Sequence, residues 1–385
     1  MKILMIGFNI QTSIFPLGLN YLKSYAKKFH PDINFKIQEF AFGNKLNHDI
    51  NKNLELQVIS YILVEKPDAV CFSTYIWSAE LVRTICLSLK KISSIKIILG
   101  GPEIDNSYFD FADYLVIGDG EEKFVDVLDN LTNSKTNHSL VNLDDIPFPY
   151  RFHEGPKDYA AIRIETARGC PFTCAYCNYA SRAYKEFSLL YLEENIKYLF
   201  ENYTFRNLTI LDANFNLKKN RMKDVLGIIS RYSKDHKINF ELKPELIDED
   251  VIKIIKDSKL NIFCELGLQS ISESVLHDTT RSYDLEKVKN GLDLLNKNNI
   301  PYKIDLMYGL PKDNFFRFLR TINFIKKYSR QKGVPAHHYM LLNNTSNSNC
   351  VRMFENNSSM VIKTDTQDVL DLYKQKLFID LINKK

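Results

Sequence analysis

The sequence predicts an α/β protein: a doubly wound parallel sheet, then an open, partial (β/α)6 barrel, then a C-terminal helix. Three observations predict it. Strand-like and helix-like stretches alternate through two long blocks, which implies parallel strands with helices packed on their faces. A polar and then proline-rich stretch at 132–156 separates the blocks. The second block opens on a strand that runs into Gly169 and three clustered cysteines, where a β/α barrel carries its chemistry.

In the first block, apolar runs or alternation predict strands at 2–6, 34–39, 69–73, 96–99 and 114–117. Helical spacing of apolar residues predicts helices at 17–29, 54–64, 79–91 and 121–131. In the second block the strands fall at 160–165, 207–211, 239–242, 262–266, 302–307 and 336–341. Helices at 189–203, 221–232, 248–258, 286–298 and 315–328 stand between them, giving about six β/α units rather than eight closed ones. The stretch 366–381 reads as an amphipathic helix whose face of Val369, Leu370, Leu372, Tyr373, Leu377 and Leu381 is expected to pack on the barrel. The domains expected are therefore 1–135, a linker at 136–157, a core at 158–350 and a helical extension at 351–385.

A chain of 385 residues is comfortable for two domains, and 45% apolar with 25% charged residues allows a sizeable core. Lys and Arg total 51 against 47 Asp and Glu, with no basic block interleaved with aromatics, so nucleic acid is not implied. The 7 cysteines are an odd number with three clustered, which argues for a reducing compartment over a disulfide framework. The apolar start, Met1 to Phe8, is too short for a secretory signal, and no apolar run reaches membrane-spanning length. A cytoplasmic protein is expected.

The cysteines are Cys170, Cys174 and Cys177, in Glu165-Thr-Ala-Arg-Gly-Cys-Pro-Phe-Thr-Cys-Ala-Tyr-Cys-Asn178. Soft thiolates select iron–sulfur clusters, zinc or copper(I). Three ligands are one short of closing a cubane or a tetrahedral zinc, so an iron would stay open to a substrate or cofactor. The alternative is a zinc site completed by Cys264 or a histidine. The C-x3-C-x2-C spacing, the preceding strand and the aromatic Tyr176 before the last cysteine together resemble the signature of the radical S-adenosylmethionine (SAM) superfamily. The resemblance implies a [4Fe-4S] cluster on the three cysteines, with SAM chelated at the open iron and cleaved to a 5′-deoxyadenosyl radical on reduction by a flavodoxin- or ferredoxin-type partner.

Four strand-end loops of the first block are rich in glycine and small polar residues. They include Pro16-Leu-Gly-Leu-Asn-Tyr21, Phe72-Ser-Thr-Tyr-Ile-Trp77, Leu99-Gly-Gly-Pro-Glu103 and Val116-Ile-Gly-Asp-Gly-Glu121. In an open parallel sheet the ligand lies beyond the carboxyl ends of the strands. This layout resembles the cobalamin-binding domain, flavodoxin- or Rossmann-like in fold, that precedes many radical SAM cores. The resemblance implies cobalamin contacts from Pro16, Ser73, Thr74, Tyr75, Gly100, Gly101, Gly118 and Glu121. The loop after the first strand, Gly7 to Phe15, has no histidine, which implies cobalt without a protein imidazole ligand. The plainer alternative is a flavodoxin-like domain that binds nothing.

The resemblance continues through the barrel. Leu208-Thr-Ile-Leu-Asp-Ala-Asn-Phe215 resembles the second-strand motif and implies Asp212 and Asn214 near the methionyl end of SAM, with capping of the following segment as the plainer alternative for Asp212. Glu265-Leu-Gly-Leu-Gln-Ser270 resembles the fourth-strand motif, with Glu265 and Gln269 as candidates for SAM ribose or ammonium contacts. Glu265 stands in an otherwise apolar strand, and an unpaired buried polar group costs about 2–7 kcal/mol, so a partner is expected. Ile304-Asp-Leu-Met-Tyr-Gly-Leu-Pro311 resembles the fifth-strand motif that flanks adenine; the alternative for Asp305, by alternation, is a side chain that simply faces the barrel interior.

The chain departs from the family at Leu342-Asn-Asn-Thr345, where relatives carry leucine-proline-glycine-threonine. His337, His338 and Cys350 flank that loop without an assigned role. The function implied is a cobalamin-dependent radical SAM methyltransferase acting at an unactivated carbon through the 5′-deoxyadenosyl radical and methylcobalamin, on a small-molecule or peptide substrate. The alternatives are a cobalamin-using radical rearrangement or oxidation, and a non-catalytic metal- or cobalamin-binding module.

Overall fold

The structure is a computed structural model, and it describes residues 1–9, 14–41, 48–140, 142–329, 333–342, 345, 351–354 and 358–384. It divides into two compact units, Met1–Ala160 and Ala161–Lys385. Among the described residues no helix is long and apolar enough to cross a membrane.

The first unit runs β1 (Lys2–Asn9), α1 (Leu17–Ala26), β2 (Asn34–Ala41), α2 (His48–Glu65) and β3 (Ala69–Ser73). It continues with α3 (Ala79–Ile92), β4 (Lys96–Gly100), β5 (Tyr114–Val116) and α4 (Gly120–Thr132). The strands form one sheet in the order β2-β1-β3-β4-β5, every neighbouring pair parallel. That is the flavodoxin-like order of a doubly wound sheet, the architecture that the alternation predicted without fixing the order. Ile3 to Ile6 and Val70 are fully buried, because a parallel sheet covered on both faces keeps no polar side.

The stretch expected to be a linker is part of this unit. Two short 3-10 turns, Leu143–Asp145 and Pro149–Phe152, press it onto α1. Ile146 and Tyr150 are fully buried, Phe15 stacks on Tyr150 at 4.0 Å, and the Ser24 hydroxyl donates to the Pro147 carbonyl at 3.0 Å. The prolines signalled irregular backbone, and the apolar residues between them make it a packed strap.

β6 (Asp158–Ile164) runs across the boundary into the second unit, where a two-stranded antiparallel ribbon, β7 (Ala167–Arg168) with β8 (Lys185–Glu186), flanks the cysteine loop. The unit continues with α5 (Leu189–Asn202), β9 (Thr204–Ile210), α6 (Lys219–Tyr232), β10 (Lys237–Leu242), α7 (Glu249–Asp257) and β11 (Asn261–Gln269). Then come α8 (Glu273–Asp278), α9 (Leu285–Lys297), β12 (Tyr302–Tyr308), α10 (Phe315–Tyr328) and β13 (Ala336–His338). Six strands form an open sheet in sequential order, β13-β12-β11-β10-β9-β6, and the pairs from β9 to β13 are parallel. Side-chain oxygens cap the helices: Ser188 accepts from the Tyr191 amide, Asp248 from Val251 and Asn314 from Arg317.

The C-terminal stretch differs from the expectation of a purely helical extension. It holds an antiparallel hairpin, β14 (Val351–Phe354) with β15 (Ser358–Lys363), before α11 (Val369–Asn383). On α11 the buried residues are Leu372, Gln375 and Ile379, whereas Val369, Leu370, Tyr373, Leu377 and Leu381 are exposed. Of the apolar face read from the sequence, only Leu372 packs inward. Apolar residues lie on both faces of this helix, so periodicity alone selects the wrong stripe.

Candidate active site

In the first unit the parallel register brings the ends of β1, β3, β4 and β5 to one edge. Ser73 pairs with Gly100, and Gly100 with Val116. The Thr74 amide donates to the Gly100 carbonyl at 2.7 Å. Gly101 has φ +111°, and a Cβ there would stand 2.4 Å from the Thr74 carbonyl oxygen, so only glycine fits. Thr74 is fully buried and its hydroxyl has no hydrogen-bond partner. Tyr75 stacks on Trp77 at 4.6 Å, and the Trp77 indole donates to the Phe8 carbonyl at 3.0 Å. Pro16 caps α1, Gly118 takes φ +87°, and Glu121 is buried in the first turn of α4.

In the second unit the cysteine loop is fastened on both flanks. Asp212, two residues past the end of β9, accepts from the amides of Thr166 (2.7 Å) and Ala167 (3.0 Å) and from the Thr166 hydroxyl. Expected near the methionyl end of SAM, Asp212 uses its oxygens to hold the strand end from which the loop departs. Burial pushes its carboxyl up to about 6 against the pull of those donors. Arg221 donates to the carbonyls of Thr166 (2.6 Å) and Phe187 (2.8 Å). Gly169 has φ +78° and lies so near Ala183 that a Cβ would come within 2.3 Å of its carbonyl oxygen.

Cys174 is buried, while Cys170 and Cys177 are half-buried. Burial pushes the Cys170 and Cys177 thiols up; backbone amides oppose this at both, and Lys243 and Arg281 also oppose it at Cys170. Lys243 lies over the Phe172 ring at 3.3 Å and pairs with Glu245 at 2.8 Å. Tyr176 packs beside Val275, Leu310 and Tyr339, and its hydroxyl accepts from Arg281 at 3.2 Å. Cys264, the candidate fourth zinc ligand, is fully buried in β11 beside Ile262 and Leu266, where burial pushes its thiol up. Among the described residues no three His, Cys, Asp or Glu side chains gather round a single ion.

Alternation along β10, β11 and β12 buries one set of side chains and leaves the other partly open. The open set includes Glu241, Glu265, Lys303 and Asp305. Glu241 pairs in register with Glu265, and Glu265 with Lys303. Lys303 bonds Glu265 at 2.9 Å and Asp305 at 3.4 Å, and His337 approaches Asp305 at 3.7 Å. Glu265 therefore has a partner, as expected, in Lys303, and it is half-buried rather than buried. Glu241 touches solvent, yet desolvation and then the nearby Glu265 and Asp305 push it up to about 7. Asn214 is buried with neither amide atom bonded, and the Gln269 side-chain oxygen is buried without a partner. His338 stacks on Tyr308 at 4.7 Å, and burial holds its imidazole below the usual range. Cys350, Asn343 and Asn344 lie outside the described residues.

The B12 binding domain family matches residues 3–128, and the Radical SAM superfamily matches residues 164–325. This chain carries a B12-binding domain and a radical SAM domain. Of its relatives, an uncharacterized methyltransferase (PH0819) of Pyrococcus horikoshii is 23% identical over 349 residues, covering 81% of this chain and 73% of that protein. The cobalamin-dependent radical SAM methyltransferase TokK of Streptomyces tokunonensis is 20% identical over 391 residues, covering 89% of this chain and 56% of TokK. The chain thus spans a little over half of TokK's length. The solved structure of TsrM from Kitasatospora setae, with cobalamin and a [4Fe-4S] cluster bound, matches with a TM-score of 0.66 at 14% identity. It covers 90% of this chain and 74% of TsrM, and the likeness is one of fold.

The radical SAM domain implies a [4Fe-4S] cluster and SAM, and the B12-binding domain implies cobalamin. The residues present fit these groups. Three thiols share one fastened loop beside two cations, which suits an anionic cluster. The bare amide of Asn214 and the bare oxygen of Gln269 offer the donors and acceptors that a polar ligand needs. The bare Thr74 hydroxyl does the same at the cobalamin edge. Sequence reading missed Glu241, Lys303, Lys243 and Arg281. Lys303 sits one strand over from Glu265, so strand alternation was the available signal; Arg281, in a loop, left none.

Proposed function

We propose that this chain is a cobalamin-dependent radical SAM methyltransferase acting at an unactivated carbon of a small-molecule or peptide substrate. The observation that carries the reading is the joint presence, on one chain, of the fastened cysteine loop and the doubly wound unit with its glycine-rich edge, in a chain whose relatives include named methyltransferases. When bound, the cluster with SAM supplies the hydrogen-abstracting radical, and cobalamin supplies the methyl group.

In this reading Cys170, Cys174 and Cys177 hold the cluster, and Asn214, Gln269 and Glu265 orient SAM. Tyr176 buttresses the loop, while Asp212 fixes its root. Ser73, Thr74, Tyr75, Gly100, Gly101 and Gly118, with Pro16 and Glu121 behind them, shape the cobalamin edge. A flavodoxin- or ferredoxin-type reductant and a reducing, cytoplasmic setting belong to the same reading, which the unpaired, buried Cys71, Cys86 and Cys264 support.

The test is anaerobic reconstitution with iron, sulfide and hydroxocobalamin, followed by incubation with reductant and SAM labelled at its methyl group. Both S-adenosylhomocysteine and 5′-deoxyadenosine are expected by mass spectrometry. Deoxyadenosine without S-adenosylhomocysteine would overturn the methyltransferase reading and favour a rearrangement or oxidation.

A further inference from the structure

Three consecutive residues after α8 grip three residues of the cysteine loop. The Ala175 amide donates to the Thr279 carbonyl at 2.9 Å. The Thr280 hydroxyl donates to the Thr173 carbonyl. Arg281 donates from one terminal nitrogen to the Tyr176 hydroxyl at 3.2 Å and from the other to the Gly267 carbonyl, at the bulge of β11. Thr280 takes φ +50°, a left-handed conformation rare for a β-branched residue, which persists only where surrounding contacts over-determine it. Arg281 is only 9% exposed and its Nε has no partner. Its two bonds go to a phenol and a carbonyl, and the nearby Glu245 carboxylate is itself paired with Lys243 at 2.8 Å. A guanidinium is always charged, so this is a fixed cation buried beside Cys170 and Tyr176.

We propose that Arg281 is a positioning residue for the cysteine loop: it ties Tyr176 to the barrel strand β11 and places a permanent positive charge beside the iron–sulfur cluster. The inference rests on the reading that Cys170, Cys174 and Cys177 hold that cluster. It assigns Arg281 two separable effects. Its hydrogen bonds keep the three thiols in place for iron, and its charge stabilises the more negative, reduced cluster. Net charge and nearby donors are levers that set cluster potentials.

The experiment compares Arg281→Gln, Arg281→Lys, Tyr176→Phe and Arg281→Gln/Tyr176→Phe in the full chain, reconstituted anaerobically without SAM. Iron content, the rate of cluster loss to a chelator and the midpoint potential are read, with circular dichroism melting as the fold control. Arg281→Gln should speed cluster loss about tenfold or more, the loss of a charge-assisted bond, and shift the potential negative. Arg281→Lys should keep the potential near that of the parent while losing the fork of two bonds and so part of the retention. Tyr176→Phe should speed loss less and leave the potential in place. The double variant should speed cluster loss by less than the product of the two single effects, because both remove the Arg281–Tyr176 bond, although Tyr176→Phe also removes the bond between its hydroxyl and Cys174.

Parent-like retention and potential in Arg281→Gln would overturn the proposal. So would equal potential shifts in the Gln and Lys variants. If Arg281→Gln does not fold, Tyr176→Phe and Arg281→Lys still decide: unchanged cluster loss in both overturns the tie. The cluster reading is checked separately. Retention of iron after all three cysteines are changed to alanine would sink that reading, whereas loss of iron there with a parent-like Arg281→Gln sinks only the role of Arg281.

Discussion

Glu265 shows how one contact changes an expectation. Its apolar neighbours made it look like a buried charge in want of a ligand, but Lys303 pairs with it at 2.9 Å and its side chain is 31% exposed. A partly exposed pair is worth about 0–1 kcal/mol, so Glu265→Gln should leave the melting temperature within a few degrees. SAM affinity should nevertheless fall roughly tenfold or more if the carboxylate contacts SAM, a charge-assisted bond being worth about 1.5–3 kcal/mol. Anaerobic calorimetry on the reconstituted variant measures this, and unchanged affinity would leave Glu265 with Lys303 alone. Asp313 is a cleaner titration. It is 1% exposed in the turn after β12, and desolvation pushes its carboxyl up to about 7 despite the Asn314 amide and nearby Arg317. The unfolded chain releases this proton near 3.8 while the folded chain keeps it, so stability drains away as pH rises from there to about 7. Asp313→Asn removes that loss. Its gain over the parent in denaturant midpoint should be larger at pH 8 than at pH 5; an equal gain at both would place the effect elsewhere.

At the scale of elements, the sheet edge and the last helix give opposite lessons. Gly101 combines φ +111° with a 2.4 Å approach to the Thr74 backbone, so neither side can yield when a methyl is added. Gly101→Ala should destabilise the chain by about 1–3 kcal/mol, the range for a strained backbone, and lower hydroxocobalamin affinity measured by spectral titration. Alternation and glycine runs made this edge readable, because a parallel sheet puts all its strand ends on one side. On α11 the same kind of reading failed. Ile379 is buried and Leu377 is 46% exposed, so Ile379→Ala should cost about 2–5 kcal/mol in chemical denaturation while Leu377→Ser stays within about 0.5 kcal/mol. Comparable losses would restore the stripe read from the sequence. Three other features were not legible. The six-residue α8 spans too few turns for a period to show. The β14–β15 hairpin follows an asparagine- and serine-rich stretch with no alternating pattern to mark it. Arg281 acts through contacts far apart in sequence. Asp212 was legible as a special residue but not in its role, since a motif marks a position and only the bonds to Thr166 and Ala167 say what holds what.

Across the whole molecule, the two kinds of site draw on separate units. Every residue assigned to cobalamin lies within Met1–Ala160, and every cysteine assigned to the cluster lies within Ala161–Lys385. Each unit has its own sheet, so each site is built by local register rather than by a shared loop. Two variants should therefore separate the cofactors. Changing Cys170, Cys174 and Cys177 together to alanine should abolish iron–sulfur absorbance and 5′-deoxyadenosine formation while hydroxocobalamin still binds. A ligand at about one hundred times its Kd stabilises the folded state by about 2.7 kcal/mol, so cobalamin should still raise the melting temperature of that variant. Gly101→Ala should do the reverse, keeping iron and sulfide near parent levels while cobalamin no longer protects against unfolding. Both measurements use absorbance, metal analysis and melting curves, and none depends on knowing the substrate. If the cysteine variant also lost cobalamin, or Gly101→Ala also lost its iron, the sites would have to be coupled through the fold, and the separation of cofactors by unit would be wrong.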